Sequence, residues 1–104
     1  MKTLASQSPV IRGLLSRETL SGEDLRTIRE DLKVSLEQIA HRTNIRSEIL
    51  QAIEEEAVDL LPPRVYLKGF LQAYARCLEV DEETLPKAYL KGIEKGLTSA
   101  EKGR

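Results

Sequence analysis

Imidazole and thiol groups, which serve most nucleophilic and metal chemistry in proteins, occur once each in this sequence, as His41 and Cys77. His41 falls on the polar side of a predicted helix, and no cysteine or carboxylate stands at ligand spacing from it. Cys77 follows inward-facing residues and is expected to be a small core residue. The sequence contains no glycine-rich phosphate loop, nucleophile elbow or paired acid–base motif. We therefore expect no enzymatic activity, no metal site and no cofactor.

Aromatic and cationic side chains between residues 63 and 78 have instead the chemistry for binding another protein. Positions 64 to 76 contain no acidic residue, and three aromatic residues recur there at i, i+4 and i+8. Tyrosine and arginine are enriched in protein interfaces because a ring buries much area at low entropic cost. We predict that this stripe binds an acidic protein partner, the alternative being that its rings are core residues. The predicted contact residues are Arg64, Tyr66, Lys68, Phe70 and Tyr74.

A second set of polar side chains, Arg46, Ser47 and Gln51, has the chemistry to contact DNA bases. Positions 46 to 62, however, carry one positive and five negative residues, and the whole chain has a formal net charge of −1. Negative charge next to a phosphate backbone opposes binding. DNA binding therefore remains an alternative function, and the disfavoured one. The last acidic run, Glu54 to Glu56, is expected to be a solvated helix end.

The elements that position these residues are predicted to be helices. Apolar periodicity predicts five core helices, over about residues 23–33, 35–44, 47–56, 63–78 and 86–96. Ser35 and Gln38 form a capping-box pattern, Asn44 suits a tight turn, and Ala40 provides the small side chain that a steep helix crossing needs. These features together predict a helix-turn-helix within an all-α domain. Gly69 is a poor helix former, and we expect it to mark close packing against a neighbouring helix.

The predicted domain, residues 22–96, lies between a leader, 1–21, and a flexible tail, 97–104. Ser8-Pro9 predicts the start of a short amphipathic leader helix. Its apolar residues, Val10, Ile11, Leu14 and Leu15, either pack on the domain itself or dock into a groove on a partner. Ser21-Gly22 is predicted to end the leader, so that residues 1–20 should be removable without unfolding the rest.

Composition sets the broad class. The chain has 104 residues, of which 40% are hydrophobic and 32% charged, as expected for one small globular domain. A single cysteine cannot form an internal disulfide, which favours a cytoplasmic location. The apolar runs are far shorter than the roughly 20 residues of a membrane span.

Three stretches of this sequence carry a resemblance to a known family. They are LRTIRE at 25–30, SLEQIAHRTNIRSEILQAIEEE at 35–56 and LLPPRVYLKGFLQAYARCLEVD at 60–81. They resemble the cytoplasmic helix-turn-helix domain of the RodZ family of bacterial cell-shape proteins, in the lambda-repressor-like (Xre) class. The resemblance covers about residues 22–92, and its most specific part is the run LP-x-x-x-Y-x-x-G-F-x-x-x-Y-A at 61–75.

The resemblance implies a five-helix domain that binds the actin-like filament protein MreB through aromatic residues of its fourth core helix. The matching positions are Phe70 and Tyr74, with Lys68 beside them. The chain departs from the family in two respects. Members continue into a transmembrane helix, which this sequence lacks, and Arg46 stands where the family often has a helix-capping serine.

Three functions follow as hypotheses. The first is a cytoplasmic, non-enzymatic adaptor that binds an acidic, cytoskeletal protein partner through the fourth core helix. The second is a small DNA-binding regulator of the lambda-repressor-like class. The third is a soluble fragment of a membrane-anchored cell-shape protein.

Overall fold

The protein is described by a computed structural model that covers residues 8–102, with side chains through residue 95. Within this range all regular structure is helical, which confirms the all-α helix-turn-helix class. The helices are α1 (Pro9–Leu15), α2 (Gly22–Asp31), α3 (Leu36–Thr43), α4 (Ser47–Glu55), a short 3-10 turn (Val58–Leu60), α5 (Arg64–Cys77) and α6 (Thr84–Lys102). Residues 1–7 of the predicted leader and the last two residues of the predicted tail lie outside the described part.

Local capping interactions start α1 and α3 where the sequence predicts. At α1 the Ser8 side chain accepts a hydrogen bond from the Ile11 N–H, and Pro9 occupies the first turn. The predicted capping box of Ser35 and Gln38 is present at α3, and Ser21 forms a second box with Asp24 at α2. These bonds satisfy backbone N–H groups that have no partner inside the helix.

The turn of the helix-turn-helix is made by a left-handed residue, as predicted. Asn44 has φ 60° and closes α3 with a hydrogen bond from its N–H to the Ala40 carbonyl. Ala40 itself is half-buried and packs against the core. Arg46 precedes α4 and makes no side-chain capping bond, consistent with its unsuitability for that position.

α6 differs from its prediction at both ends. It starts at Thr84, two residues before the predicted start at Pro86, and it continues to Lys102 instead of ending near residue 96. Pro86 is tolerated because it lies in the first turn, where its missing N–H would have no intrahelical partner. Asp81 starts the helix by accepting backbone hydrogen bonds from Glu83 and Thr84 at 2.8 and 3.0 Å, and these bonds lower the pKa of Asp81.

One apolar core joins all six helices. α2 packs on α4, and α5 packs on both α3 and α6. The largest fully buried side chains include Tyr74 of α5 and Tyr89 of α6. Tyr89 donates a hydrogen bond of 2.7 Å to the Ile53 carbonyl, so its hydroxyl is satisfied inside the core.

The leader is part of this core. Ile11 is 0% exposed, and Leu20, at the end of the leader, is also fully buried. The Leu20 N–H donates to the Ala88 carbonyl of α6 at 3.1 Å, and Glu18 pairs with Lys91 and Lys95 of the same helix. The boundary at residue 21 therefore does not separate two packing units, because leader and domain share apolar side chains.

Two glycines have roles other than those expected. Gly22 does not merely end the leader. It lies in the first turn of α2, where a Cβ would come within 2.3 Å of the Glu54 carbonyl oxygen of α4. Gly69, which we expected at a close helix contact, has no atom of a neighbouring helix within 4 Å of the position of its Cβ. The close approach of two helices thus occurs at Gly22, between α2 and α4. The prediction of such a contact at Gly69 was wrong.

Candidate protein-binding surface on α5

The start of α5 is determined by Leu61-Pro62-Pro63. Pro63 precedes the helix with φ −52°, and its carbonyl accepts the first hydrogen bonds, from the N–H groups of Tyr66 and Leu67. One side of α5 then faces the core. The core-facing residues are Leu67, Leu71, Tyr74, Ala75 and Leu78.

The three aromatic residues of α5 do not form one exposed stripe. Tyr66 is 62% exposed, Phe70 is half-buried against the core, and Tyr74 is 0% exposed. In an α-helix, residues four apart differ by about 40° in direction, so the series turns by about 80° from Tyr66 to Tyr74. Tyr74, predicted to contact a partner, therefore lies in the core and is not accessible in this structure.

The remaining predicted contact residues lie on two sides of α5. Arg64 and Lys68 are exposed and line a groove between α5 and α6. Tyr66 and Phe70 each follow one of these cations by two residues, which places them about 200° away around the helix. We call Arg64 and Lys68 the cationic flank and Tyr66 and Phe70 the aromatic flank. The core-facing side of α5 runs between them.

A buried polar network accounts for Tyr74. Its hydroxyl donates to Glu54 Oε2 at 2.7 Å, with the Leu25 carbonyl oxygen 3.1 Å away. Arg29 of α2 binds the same carboxylate through Nε at 2.6 Å and through its terminal nitrogen at 2.9 Å, and it also donates to the Val34 carbonyl. The network therefore joins α2, α4 and α5 at the centre of the fold.

Burial and pairing shift the ionisation of this network. Removal from water raises the pKa of Tyr74 well above its ordinary value, and the Glu54 carboxylate adds to that shift. The hydrogen bonds to Glu54 raise the pKa of Arg29. The expectation that Glu54 is solvated was wrong. Arg29 occupies an inward-facing position, four residues after Leu25, and a cation at such a position was the available indication of a buried ion pair.

The residues proposed to contact DNA lie on the exposed side of α4. Arg46, Ser47 and Gln51 are all exposed, and Gln51 donates to the Glu55 carboxylate at 3.0 Å. Glu48 is exposed on the same helix. Because Glu54 is paired internally, the acidic character of this surface comes from the other carboxylates of the segment.

The leader residues proposed as a docking element are mostly buried against the rest of the domain. Ile11 is buried, Leu14 and Leu15 are half-buried against the core, and Val10 is 47% exposed. The packing of α1 on α2 corresponds to the alternative in which the leader packs on its own domain. Only Val10 of this set offers substantial apolar surface to a partner.

Side chains with metal or nucleophile chemistry stay apart. Across the described residues, no three histidine, cysteine or acidic side chains come together closely enough to hold a metal ion. His41 is exposed, and Cys77 is half-buried in a shallow groove next to Arg42 and Arg76. Among the helices in the described range, none combines the length and the apolar character needed to cross a membrane.

Comparisons with known proteins agree with this architecture. Residues 24–85 match a family described as a helix-turn-helix domain. The chain is 34% identical over 76 residues to a Streptococcus pneumoniae protein named Cytoskeleton protein RodZ, covering 73% of this chain and 28% of that protein. It is 31% identical over 75 residues to an uncharacterised Haemophilus influenzae protein, covering 71% of this chain and 25% of that one.

The chain thus spans only about a quarter of the length of these two relatives. No solved structure matches it significantly. The family match includes α2 to α5 and the turn at Asn44, so it covers the helix-turn-helix and the helices that pack on it. The chain therefore belongs to the helix-turn-helix domain family, with a domain of the RodZ type.

Proposed function

We propose that this chain is a non-enzymatic, cytoplasmic adaptor that binds an acidic protein partner through α5. The observation that carries the proposal is the exposure of Tyr66 on a helix that contains cations and no acid between positions 64 and 76. An exposed tyrosine on a helix whose exposed charged residues are all basic is typical of a binding surface for an acidic protein.

The similarity to Cytoskeleton protein RodZ supports a cytoskeletal partner. We propose an actin-like filament protein of the MreB type, the partner that the resemblance implies. The proposed contact residues are Tyr66 and Phe70 of the aromatic flank and Arg64 and Lys68 of the cationic flank. Tyr74 supports them from the core by holding α5 against α2 and α4.

Cosedimentation with polymerised filament protein from the same cell tests the proposal. Tyr66→Ala should weaken the affinity for filaments by about tenfold or more, because truncating an aromatic anchor typically costs about 2 kcal/mol. The fold should be unchanged, since the ring is mostly exposed. Tyr66→Phe is the matched variant, because it keeps the ring and removes only the hydroxyl.

Val10→Ala distinguishes the α5 surface from the leader. Val10 is also an exposed apolar residue, but it lies on α1. If Val10→Ala loses filament binding while Tyr66→Ala retains it, the leader is the docking element and the α5 proposal fails.

DNA binding is the second candidate function. The observation that favours it is that Arg46, Ser47 and Gln51 are exposed on α4, the second helix of the helix-turn-helix. The acidic residues around them and the net charge of the chain count against it.

A further inference from the structure

The groove between α5 and α6 is bounded at both ends by contacts between the two helices. Arg64, at the start of α5, pairs with Glu94 of α6. Gln72, two turns further along α5, donates to Glu83, just before α6, at 3.5 Å. The helices are therefore antiparallel, and the space between these contacts has a volume of about 550 Å³.

The positive charge of this groove is only partly neutralised. Arg64 is paired with Glu94, and Lys91 is paired with Glu18 at 3.1 Å. Lys68 on the α5 side and Lys87 on the α6 side are exposed, and neither forms an ion pair with any residue in the described range. Lys68 and Lys87 thus provide two ammonium groups on this groove that form no ion pair within the described residues, while Glu83 and Glu94 line its ends.

The length of the groove limits what can occupy it. Positions 64 and 72 are separated by about 12 Å along α5 at the rise of an α-helix. An extended peptide covers about four residues in that distance. Leu90 of α6 is half-buried and also lines the groove, so it provides apolar contact between the cations.

We infer that the α5–α6 groove binds a short acidic segment of the partner protein, about four residues long in extended conformation. The carboxylates of the segment contact Lys68 and Lys87, and an intervening side chain packs on Leu90. This inference rests on the proposed function and adds Lys87 and Leu90 of α6 to the surface.

A protein segment fits the groove better than a membrane surface does. A flat anionic bilayer would meet the carboxylates of Glu83 and Glu94, which lie at the two ends and oppose its charge. A narrow segment lies between these two carboxylates and contacts the central lysines. The recess also favours a strand-like ligand, which can enter between two helices.

The probe for this inference is a capped peptide with four central glutamates flanked by glycine and serine. A matched peptide carries glutamines in place of the glutamates. Nuclear magnetic resonance of the isotope-labelled full chain should show saturable shifts at Lys68, Lys87 and Leu90 with the glutamate peptide only. Shifts centred on another surface, or equal shifts with both peptides, overturn the inference.

Charge variants determine whether the groove lysines cause the binding. Lys87→Glu should weaken binding of the glutamate peptide by about tenfold or more, and Lys87→Gln by less, as expected for loss of a close charge pair. Arg12→Glu on α1 is the control, because Arg12 is exposed and the substitution changes the net charge by the same amount. Equal weakening by Arg12→Glu, or none by Lys87→Glu, overturns the inference.

The filament assay separates this inference from the proposed function. If Lys87→Glu loses filament binding in the same assay, the groove inference is supported. If Tyr66→Ala loses binding and Lys87→Glu does not, the adaptor function stands and the groove inference fails. If both bind as the wild type does, both fail. Binding of phosphatidylglycerol vesicles that is stronger than binding of the glutamate peptide, and is abolished by Lys87→Glu, would assign the groove to a membrane instead.

Discussion

Tyr74 joins three helices through one hydroxyl group. Its partner Glu54 is buried and also binds Arg29, so the carboxylate depends on both neighbours for its hydrogen bonds. Removal of one partner leaves a buried acceptor without one of its hydrogen-bond donors. The unsatisfied acceptor costs more stability than the hydrogen bond itself contributes. The residue is therefore a determinant of stability, and Tyr66 is the α5 tyrosine that is free to meet a partner.

Tyr74→Phe should lower the free energy of unfolding by about 1–3 kcal/mol, because it removes the hydroxyl from the buried network. Tyr66→Phe removes the same group from an exposed position on the same helix. It should change the free energy of unfolding by less than about 0.5 kcal/mol. Chemical denaturation measures both. Equal midpoints for the two variants would show that the network contributes little to stability.

The buried tyrosines also predict alkaline sensitivity. Burial raises the pKa of both Tyr74 and Tyr89, so above about pH 10 the unfolded chain loses these protons while the folded chain retains them. Their contribution to stability is complete below the ordinary pKa and is lost as the pH rises through the raised values. Denaturation at about pH 8 and about pH 11 should show a smaller loss for a Tyr74→Phe, Tyr89→Phe double variant than for Tyr66→Phe.

At the scale of elements, the contact between α2 and α4 depends on a glycine, which has no side chain. α2 begins so close to the end of α4 that the Gly22 N–H donates to the Glu56 carboxylate at 2.7 Å. A Cβ at Gly22 would meet backbone atoms, which cannot rotate away as a side chain can. Gly69 is surrounded by open space and has no such role within the described fold.

Gly22→Ala should therefore destabilise the protein by about 1–3 kcal/mol or more, as overpacking does. Gly69→Ala should stabilise it by about 0.5–1 kcal/mol, because alanine loses less backbone entropy in a helix. The two identical substitutions have opposite predicted signs, and thermal denaturation distinguishes them. If Gly69→Ala instead lowers the stability, position 69 is packed against a neighbour and this prediction is wrong.

The leader behaves as a packing element. Ile11→Ala should cost about 2–5 kcal/mol, since it removes a fully buried aliphatic side chain. Val10→Ala on the same helix should have a small effect, because Val10 is about half exposed. Deletion of residues 1–20 removes both Ile11 and Leu20, and should lower helical circular dichroism and stability together. A deletion variant with wild-type stability would restore the expectation that the leader is dispensable.

At the scale of the whole molecule, charge is distributed unevenly although the total is close to zero. Cations lie along α5 and the groove beside it, whereas carboxylates dominate the exposed surface of α4 and the segment after it. A chain with a net charge of −1 has no long-range attraction to nucleic acid, and its local surfaces determine which partners it can bind.

We expect no appreciable binding to random duplex DNA near physiological salt, because the net charge is −1 and the α4 region is acidic. Fluorescence anisotropy over a range of salt concentrations measures this directly. Micromolar binding that weakens steeply with salt would favour the DNA-binding alternative, since the slope counts the phosphates that the protein neutralises.

The sequence alone determined the order of the main helices, the start of α1 and of α3, and the turn at Asn44. Capping boxes, the proline at the start of α1 and the left-handed Asn44 act over three or four residues, so their effects can be derived from local spacing. The helix-turn-helix class follows from the same local features. Arg64, Lys68 and Tyr66 are exposed, and their role in binding a partner stays a prediction.

Only the tertiary structure decided which side of α5 is available and what the buried charges do. The aromatic series turns gradually around the helix, and whether a given ring is inside or outside depends on the neighbours that pack there. The pairing of Arg29 with Glu54 and the close approach at Gly22 join residues 25 or more positions apart. Such contacts form only when the helices meet, so no local pattern in the sequence specifies them.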